Sequence, residues 1–568
     1  MNRTGYPSQD RPWRQYYSEE ALAAELPECT VWENLLARNR GHEGEVALIY
    51  FGKKITYGEL FARVEETARG LAALGVRDGD CAALCMPAMP ESIYAILALN
   101  RLGAAAGMLN PTFSPEQLSQ RLREMGCRVL LTASELFYAV KDALPGTGVE
   151  RIVACPGAHS LGRLARLRQK APEIPGAMTW DALLRGGAGR PVPDAPYQKN
   201  KPAIVVFSSG TTGASKGIRL TCDGINATAA EYGCGVFGFR RGDTFFAQIP
   251  IWFSTGISVT MLTPLIHGVK VILEPVYDLE LFRRHLLKYK PDFLVTATGL
   301  LDYLMDRQPR ARAWGHFRYL VAGGEYVAPA AEEKYSRWLR ENGAPQGLHK
   351  GYGMCECGGT VTSTNEKCNR PGSAGIPLPH VTVAAFDPET GEEQPYGQRG
   401  ELRVLTPCRM LDYDRKPEAT AAFFRRDARG REWACTGDLG YVAADGSVFV
   451  SGRMSDSYAD DSGGRIWLFD IERAILDLPQ VRQCKAVAQA REGALTHICH
   501  LVLAHGAGRE QTLAAIRAHC REVLDERHQP RRLCLYDRAL PVAPSGKLDT
   551  AALRENRGQL LDLWEMDV

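Results

Sequence analysis

Several features that would place a protein quickly are missing from this chain. No apolar run approaches the ~20 residues of a membrane span. The greasy stretch 93–109 is broken by Asn100 and Arg101 and reads as a buried helix. The opening, MNRTGYPSQDRPWRQYYSEE, has no apolar core of the kind a secretory signal needs. Neither sign of charge is in excess: 68 Lys plus Arg stand against 66 Asp plus Glu, a net of +2. Nucleic acid and an anionic membrane surface are therefore not expected partners. Cysteine is not scarce, at 16 residues, but it lacks a pattern. Cys81 and Cys85, or Cys355 and Cys357, have no C-x-x-C spacing with a matching second pair, so a zinc ribbon is unsupported. Cysteines in apolar strands, such as Cys499 and Cys534, read as small buried hydrophobes in a reducing compartment, and a cytoplasmic location is expected. There is no internal repeat and no low-complexity tract.

What is present is an ordinary globular composition, 45% hydrophobic and 24% charged, over 568 residues, enough for several domains or subdomains. Residues 47–55 suggest two short strands turning at Gly52. Thr56 with Glu59 forms a capping box for a helix carrying Tyr57, Leu60, Phe61, Val64, Leu71 and Leu74, ended by Gly75. A strand at 81–86, a helix through 93–102 and a strand near 128–132 follow. After a Gly/Pro-rich connection at 186–202 the alternation resumes, with strands at 203–207, 269–273, 293–297 and 319–322 and a helix at 279–289. This predicts an α/β fold with mostly parallel sheets flanked by helices. Beyond Gly375 short strands at 381–386, 400–404 and 447–450 suggest a small β-rich subdomain. The tail, with strands at 496–503 and 532–536 and a helix at 512–526 presenting Leu513, Ile516, Val523 and Leu524 on one side, reads as an α+β module of its own.

Chemistry concentrates first at Ser208–Gly217, SSGTTGASKG, directly after the β-branched strand AIVVF. Ten residues hold three glycines, five hydroxyls and one lysine. Gly210, Gly213 and Gly217 let the backbone turn and approach a ligand closely. The hydroxyls of Ser208, Ser209, Thr211 and Thr212, freed N–H groups and Lys216 make a cradle for phosphate oxygens. The spacing is not that of a P-loop, because Lys216 follows Gly213 by three residues and precedes Gly217. The bland alternative is a flexible Ser/Gly loop.

Three further clusters follow in order. GYGMCECGG, residues 351–359, sets Tyr352 and Glu356 in a glycine-rich loop; a flat ring can stack on a base and a carboxylate beside phosphates can hold Mg²⁺. TGDLGYVAADGSVFVSGR, residues 436–453, offers Asp438 to a ribose diol and Arg453 to ribose or phosphate oxygens. PVAPSGKLD, residues 541–549, presents Lys547 from a turn, where a lone lysine is ordinarily just solvated.

In this order the clusters resemble the adenylate-forming superfamily: acyl-CoA synthetases, adenylation domains of peptide synthetases and firefly-type luciferases. The resemblance runs from about Trp32 to Arg554. VAGGEY with Gly323 and Gly324, GEL at 400–402 and YDRKPEAT at 413–420 add to it. It implies a large N-terminal domain, residues 1–454, and a small C-terminal lid, residues 455–568, pivoting near Asp456. It implies two half-reactions: ATP and a carboxylic acid give acyl-AMP and pyrophosphate, then a thiol, usually of coenzyme A, displaces AMP. The implied catalytic residues are Lys547 and Glu356, the latter also the Mg²⁺ ligand. The implied nucleotide site is Ser208, Ser209, Gly210, Thr211, Thr212, Gly213, Lys216, Gly324, Tyr352, Cys355, Asp438 and Arg453. The acid pocket is drawn from the stretches 252–256, 296–300, 323–326 and 351–354, with Trp252, Phe253, Gly256, Gly323 and Gly353 foremost. Its apolar and small residues admit an aliphatic chain or an aromatic ring.

The chain also departs from the superfamily's pattern. Cys355 replaces a phosphate-binding threonine, and a thiol is the weaker donor. Phe253 stands where a histidine is frequent. Ser254 stands where amino-acid-activating members carry an aspartate, which favours a plain carboxylic acid. After Arg453, Asp460 and Asp461 crowd a loop that in the family lines the thiol channel, and its usual lysine is absent. Two carboxylates there repel the phosphates of coenzyme A unless they face away. The leading expectation is an acid–CoA ligase. The alternatives are an adenylating enzyme that loads a separate acyl carrier protein, and a degenerate sensor of acid or AMP. A γ-phosphate kinase is disfavoured by the failed Walker spacing.

Overall fold

At the first hairpin two consecutive residues are left-handed, Phe51 at φ 46° and Gly52 at φ 86°. That backbone matches the twist of an antiparallel pair, and it joins Val46–Tyr50 to Lys53–Thr56. The expected capping box of Thr56 and Glu59 then starts helix Tyr57–Ala73. In this computed structural model the described residues are 3–161, 172, 174–208, 215–307, 312–459, 464–491, 494–541, 548–555 and 560–565.

Among them, two large mixed sheets carry the first part of the chain. One has nine strands, in the order Ile376–Pro377, Thr362–Ser363, His349–Tyr352, Tyr319–Gly323, Phe293–Thr296, Thr244–Ala247, Lys270–Leu273, Val46–Tyr50 and Lys53–Thr56. The run from His349–Tyr352 to Val46–Tyr50 is parallel throughout. The other has eight strands, from Asp412–Tyr413 and Gly217–Thr221 through Pro202–Phe207, Ala105–Met108, Cys81–Cys85, Val129–Ala133 and Arg151–Cys155 to Met178–Thr179.

The alternation of strand side chains builds the layers. Ala82 and Leu84 enter a central apolar cluster, while Ala83 and Cys85 face a second one with Leu118, Leu122 and Met125 of helix Pro115–Met125. In the nine-stranded sheet Phe245 and Phe293 join the central cluster, and Phe246 and Leu294 face a third with Phe282, Leu286 and Leu339. Both sheets thus share one core, into which helix Pro90–Arg101 is sunk so far that residues 90–100 are all buried. This accounts for the greasy stretch in the sequence. No helix of the described residues is long and apolar enough to cross a membrane.

A five-stranded antiparallel sheet follows, with Glu432–Val442 paired to Gly400–Leu405, Phe424–Arg426 and Val448–Arg453. The last part has its own four-stranded sheet and its own apolar cluster, including Ile471, Ile475, Ile516 and Leu533. Helix Arg509–Val523 buries Thr512, Ile516 and Cys520. Val523, expected on that face, is 51% exposed. The helix stops at Val523 and the extended Leu524 (ψ 141°) turns inward instead. Polar contacts tie this part to the rest. Both guanidinium Nη atoms of Arg399 donate to Asp470 at 3.0 Å, Arg482 lies 3.4 Å from Asp302, and Arg473 sits 4.4 Å over the Tyr326 ring.

Candidate active site

The four stretches expected to wall the acid pocket are four exits from one sheet edge. Strands Thr244–Ala247, Phe293–Thr296, Tyr319–Gly323 and His349–Tyr352 are neighbours and parallel. Residues 252–256, 297–300, 324–326 and 353–354 therefore all emerge at their carboxyl ends, where open α/β sheets place ligands. Side chains tie the walls together. Thr298 donates its backbone N–H (2.9 Å) and hydroxyl (2.5 Å) to Glu325. Gln248 donates to the Val295 carbonyl at 3.2 Å. Gly323 pairs with Gly351, so two adjacent strands reach the edge without side chains.

Close packing dictates glycine at two of the expected pocket positions. A Cβ on Gly256 would lie 1.9 Å from the Pro250 carbonyl oxygen, and one on Gly353 would lie 2.6 Å from that of Gly359. Trp252 is buried, Phe253 half-buried, and Trp252 leans towards Tyr277 with ring centroids 6.4 Å apart. Just beyond, Thr255–Leu262 winds as a π-helix, a form that recurs at functional sites and that residue spacing did not reveal. Ser254 is fully buried.

Among the residues expected to hold the nucleotide, the structure brings together Tyr352, Asp438 and Arg453. Asp438 and Arg453 face each other across an antiparallel pair. Arg453 Nε lies 2.9 Å from Asp438 Oδ1, and its Nη1 donates to the Thr436 carbonyl at 2.9 Å. The Tyr352 hydroxyl donates to Asp438 Oδ2 at 2.5 Å. Burial alone would weaken the Arg453 cation, but the Asp438 carboxylate, with Tyr352 and Glu356 nearby, holds it firmly charged. Burial and the same carboxylate push the Tyr352 phenol up, so it remains a donor. Tyr352, expected as a stacking ring, thus also steadies the carboxylate expected to meet a ribose.

The second grouping was not foreseen from the residues one by one. Tyr413 donates its hydroxyl to Glu356 Oε1 at 2.8 Å, and Lys216 Nζ sits 4.6 Å over the Tyr413 ring. One phenol therefore joins the cradle lysine to the candidate metal ligand. Its signal was the YDRKPEAT stretch, matched as a motif but given no role. Tyr413 reaches this place because Asp412–Tyr413 pairs with Gly217–Thr221, the strand that leaves the cradle. Ser208, at the start of the cradle, accepts from Lys216 N–H through its hydroxyl at 3.0 Å. Cys355 and Glu356 lie in a 3-10 turn three residues past Tyr352, so one loop serves both groupings. Gly324 lies immediately after Tyr319–Gly323. Ser209, Gly210, Thr211, Thr212, Gly213 and Lys547 lie outside the described residues, as do Asp460 and Asp461.

Solved structures share this architecture. The anthranilate CoA ligase AuaEII in complex with anthranoyl-AMP superposes with a TM-score of 0.79 at 22% identity, covering 94% of this chain and 98% of that one. ATP-bound MatB from Rhodopseudomonas palustris gives 0.78 at 23% identity, covering 93% and 99%. These are likenesses of fold. In sequence the profile of the family described as "AMP-binding enzyme" matches residues 35–414, so the chain belongs to that family. Its curated relatives include the sulfoacetate–CoA ligase of Cupriavidus necator, 26% identical over 88% of this chain and 92% of that protein. They also include the 2-succinylbenzoate–CoA ligase of Bacillus subtilis, 27% identical over 91% and 96%. The chain is an AMP-forming ligase of the acyl-CoA synthetase type.

Proposed function

We propose that this enzyme activates a plain carboxylic acid, aliphatic or aromatic, as its acyl-adenylate and then transfers the acyl group to coenzyme A. The observation that carries the reading is the loop 352–356, which joins the Tyr352–Asp438–Arg453 and Lys216–Tyr413–Glu356 groupings beside the exits of four parallel strands. In the first half-reaction a carboxylate oxygen attacks the α-phosphorus of ATP, the bond to the bridging oxygen breaks, and pyrophosphate leaves. The cradle of residues 208–217 holds the leaving phosphates. Asp438 and Arg453 fix the ribose. The acid lies between Trp252, Phe253 and Gly256 on one side and Gly323 and Gly353 on the other. In the second half-reaction the thiol sulfur attacks the acyl carbon and AMP leaves.

Glu356 suits Mg²⁺. It is a half-buried carboxylate with one oxygen steadied by Tyr413, and this ion usually takes one or two carboxylates together with substrate phosphates. Bound there, the ion would neutralise charge building on the phosphates. Lys547 is assigned the same electrostatic task from the lid, residues 455–568. The separate apolar cluster and the polar contacts of Arg399, Arg473 and Arg482 support a lid that can turn between half-reactions, since such pairs exchange at little cost.

A second acceptor, a separate acyl carrier protein, is kept because Asp460 and Asp461 fall in the sequence stretch that, by the family resemblance, lines the thiol channel. The test is ATP–pyrophosphate exchange across a panel of acids, followed by product analysis with coenzyme A and with a carrier protein. Adenylation with a thioester only on the carrier would move the assignment to the second reading.

A further inference from the structure

Beside the end of strand Val46–Tyr50, whose Tyr50 hydroxyl donates to the Gly157 carbonyl at 2.7 Å, three potential metal ligands of different chemistry meet. Glu91 is the second residue of helix Pro90–Arg101, Cys155 ends the strand Arg151–Cys155, and His159 lies in the turn after it. One ligand atom from each, a carboxylate oxygen, a thiol sulfur and an imidazole nitrogen, lies within 4.8 Å of the other two. Glu91 and Cys155 are fully buried and the His159 side chain is 15% exposed.

A buried trio is more often a satisfied hydrogen-bond network than a metal site, and much of this one is satisfied. His159 Nδ1 is 2.7 Å from Glu91 Oε1, and the Ser160 hydroxyl donates to that same oxygen at 2.6 Å. The other Glu91 oxygen, Oε2, is buried with no hydrogen-bond partner among the described residues. Leaving a buried carboxylate oxygen unpaired is costly. The far ring nitrogen supplies a second observation. His159 Nε2 is 2.9 Å from Asp181 Oδ1, which is the carboxylate–histidine relay that orients imidazoles bound to metals.

We infer that Glu91, Cys155 and His159 bind one divalent transition-metal ion, Zn²⁺ by preference, with Asp181 positioning the imidazole. The ligand set of one thiolate, one imidazole and one carboxylate suits Zn²⁺ and disfavours Mg²⁺ and Ca²⁺, which select oxygen. The charges balance. Two protons leave, one from the Cys155 thiol and one from the hydrogen bond between His159 Nδ1 and Glu91. The cation then faces one carboxylate, one thiolate and a neutral ring, a first shell of no net charge. Tetrahedral ligands at about 2.0–2.3 Å from zinc lie roughly 3.3–3.8 Å apart. The Glu91–His159 contact therefore opens by less than about 1 Å as the ion replaces the shared proton. Three protein ligands leave one position for water. The ion pins the start of one core helix, the end of a strand and the turn that follows it.

The full-length enzyme is stripped with a chelator, dialysed against Zn²⁺ and analysed for metal per chain. The same is done with Co²⁺, whose thiolate charge-transfer absorption reports sulfur in the first shell. The expected result is one tightly held ion and a charge-transfer band, both lost in Cys155→Ser. Asp181→Asn should keep the band and weaken Zn²⁺ affinity about 10–100-fold. Should Cys155→Ser fail to fold, His159→Gln, at the more accessible position, must show the same loss. Zinc content no higher in wild type than in these variants, or a cobalt band that survives Cys155→Ser, overturns the site and leaves the apolar-core network as the whole explanation.

Discussion

Single residues at the candidate site act through one another. Asp438 holds Arg453 and is itself held by Tyr352, so removing it takes a partner from each. Asp438→Ala is expected to raise the KM for ATP and to lower acid-dependent pyrophosphate exchange by about 10²-fold, the size of losing one preorganised charge contact. Tyr413→Phe deletes one hydroxyl that donates to a carboxylate. Such bonds contribute about 1.5–3 kcal/mol, so kcat should fall roughly 10–100-fold. Supplying more Mg²⁺ should recover part of it, because the steadied ligand is Glu356. A Tyr413→Phe enzyme with unchanged kcat at every Mg²⁺ concentration would separate this phenol from the chemistry. Asp438, Arg453 and Glu356 stand out in the sequence as charged residues in glycine-containing stretches; the structure places Asp438 and Arg453 on paired strands and Glu356 in a 3-10 turn. Tyr413 could not be given a role, because an aromatic residue reads as core until the strand that carries it is paired.

At the scale of elements, hydrophobic periodicity placed fewer than half of the described helices and strands, those whose buried face repeats clearly at its own period. The helix Leu279–Tyr289 and the strand Arg532–Tyr536 fall on the residues expected. Strands of mixed character were harder. Glu432–Val442, the centre of a sheet, carries Asp438 and two glycines and was not marked as a strand in the sequence. Val481–Arg491 mixes small, apolar and polar residues without regular alternation, so it gave little signal. The end of helix Arg509–Val523 was misread because Val523 and Leu524 both continue the apolar stripe, and only the break in the backbone decides between them. The distinction is measurable. Ile516→Ala should cost about 2–5 kcal/mol in denaturant unfolding, and Val523→Ala should stay within ~0.5 kcal/mol. Gly256→Ala tests the packing of the pocket wall. Its methyl group meets the Pro250 carbonyl, and the overpacked turn should lose about 1–3 kcal/mol together with acid binding.

For the whole molecule, the sequence marked a change of character after Gly375 and a separate tail, and both recur as separate sheets. What residue order could not convey is sheet order. The first hairpin, Val46–Thr56, completes the sheet formed otherwise by residues 244–377, whereas the strands that follow it build the other sheet. Pairing over two hundred residues apart leaves no local trace. The proposed turning of residues 455–568 predicts that Arg399→Ala, which releases Asp470, leaves stability nearly unchanged and alters the ratio of adenylation to thioester formation. Equal changes in both half-reactions would argue that the pair plays no part in that motion.

The most direct test of the ligase account is acid-dependent exchange of labelled pyrophosphate into ATP, with the nucleotide product identified. The expected result is exchange driven by at least one aliphatic or aromatic acid, AMP as the released nucleotide, and loss of exchange in both Glu356→Gln and Lys547→Ala. Release of ADP, or exchange that persists undiminished in both variants, would contradict it.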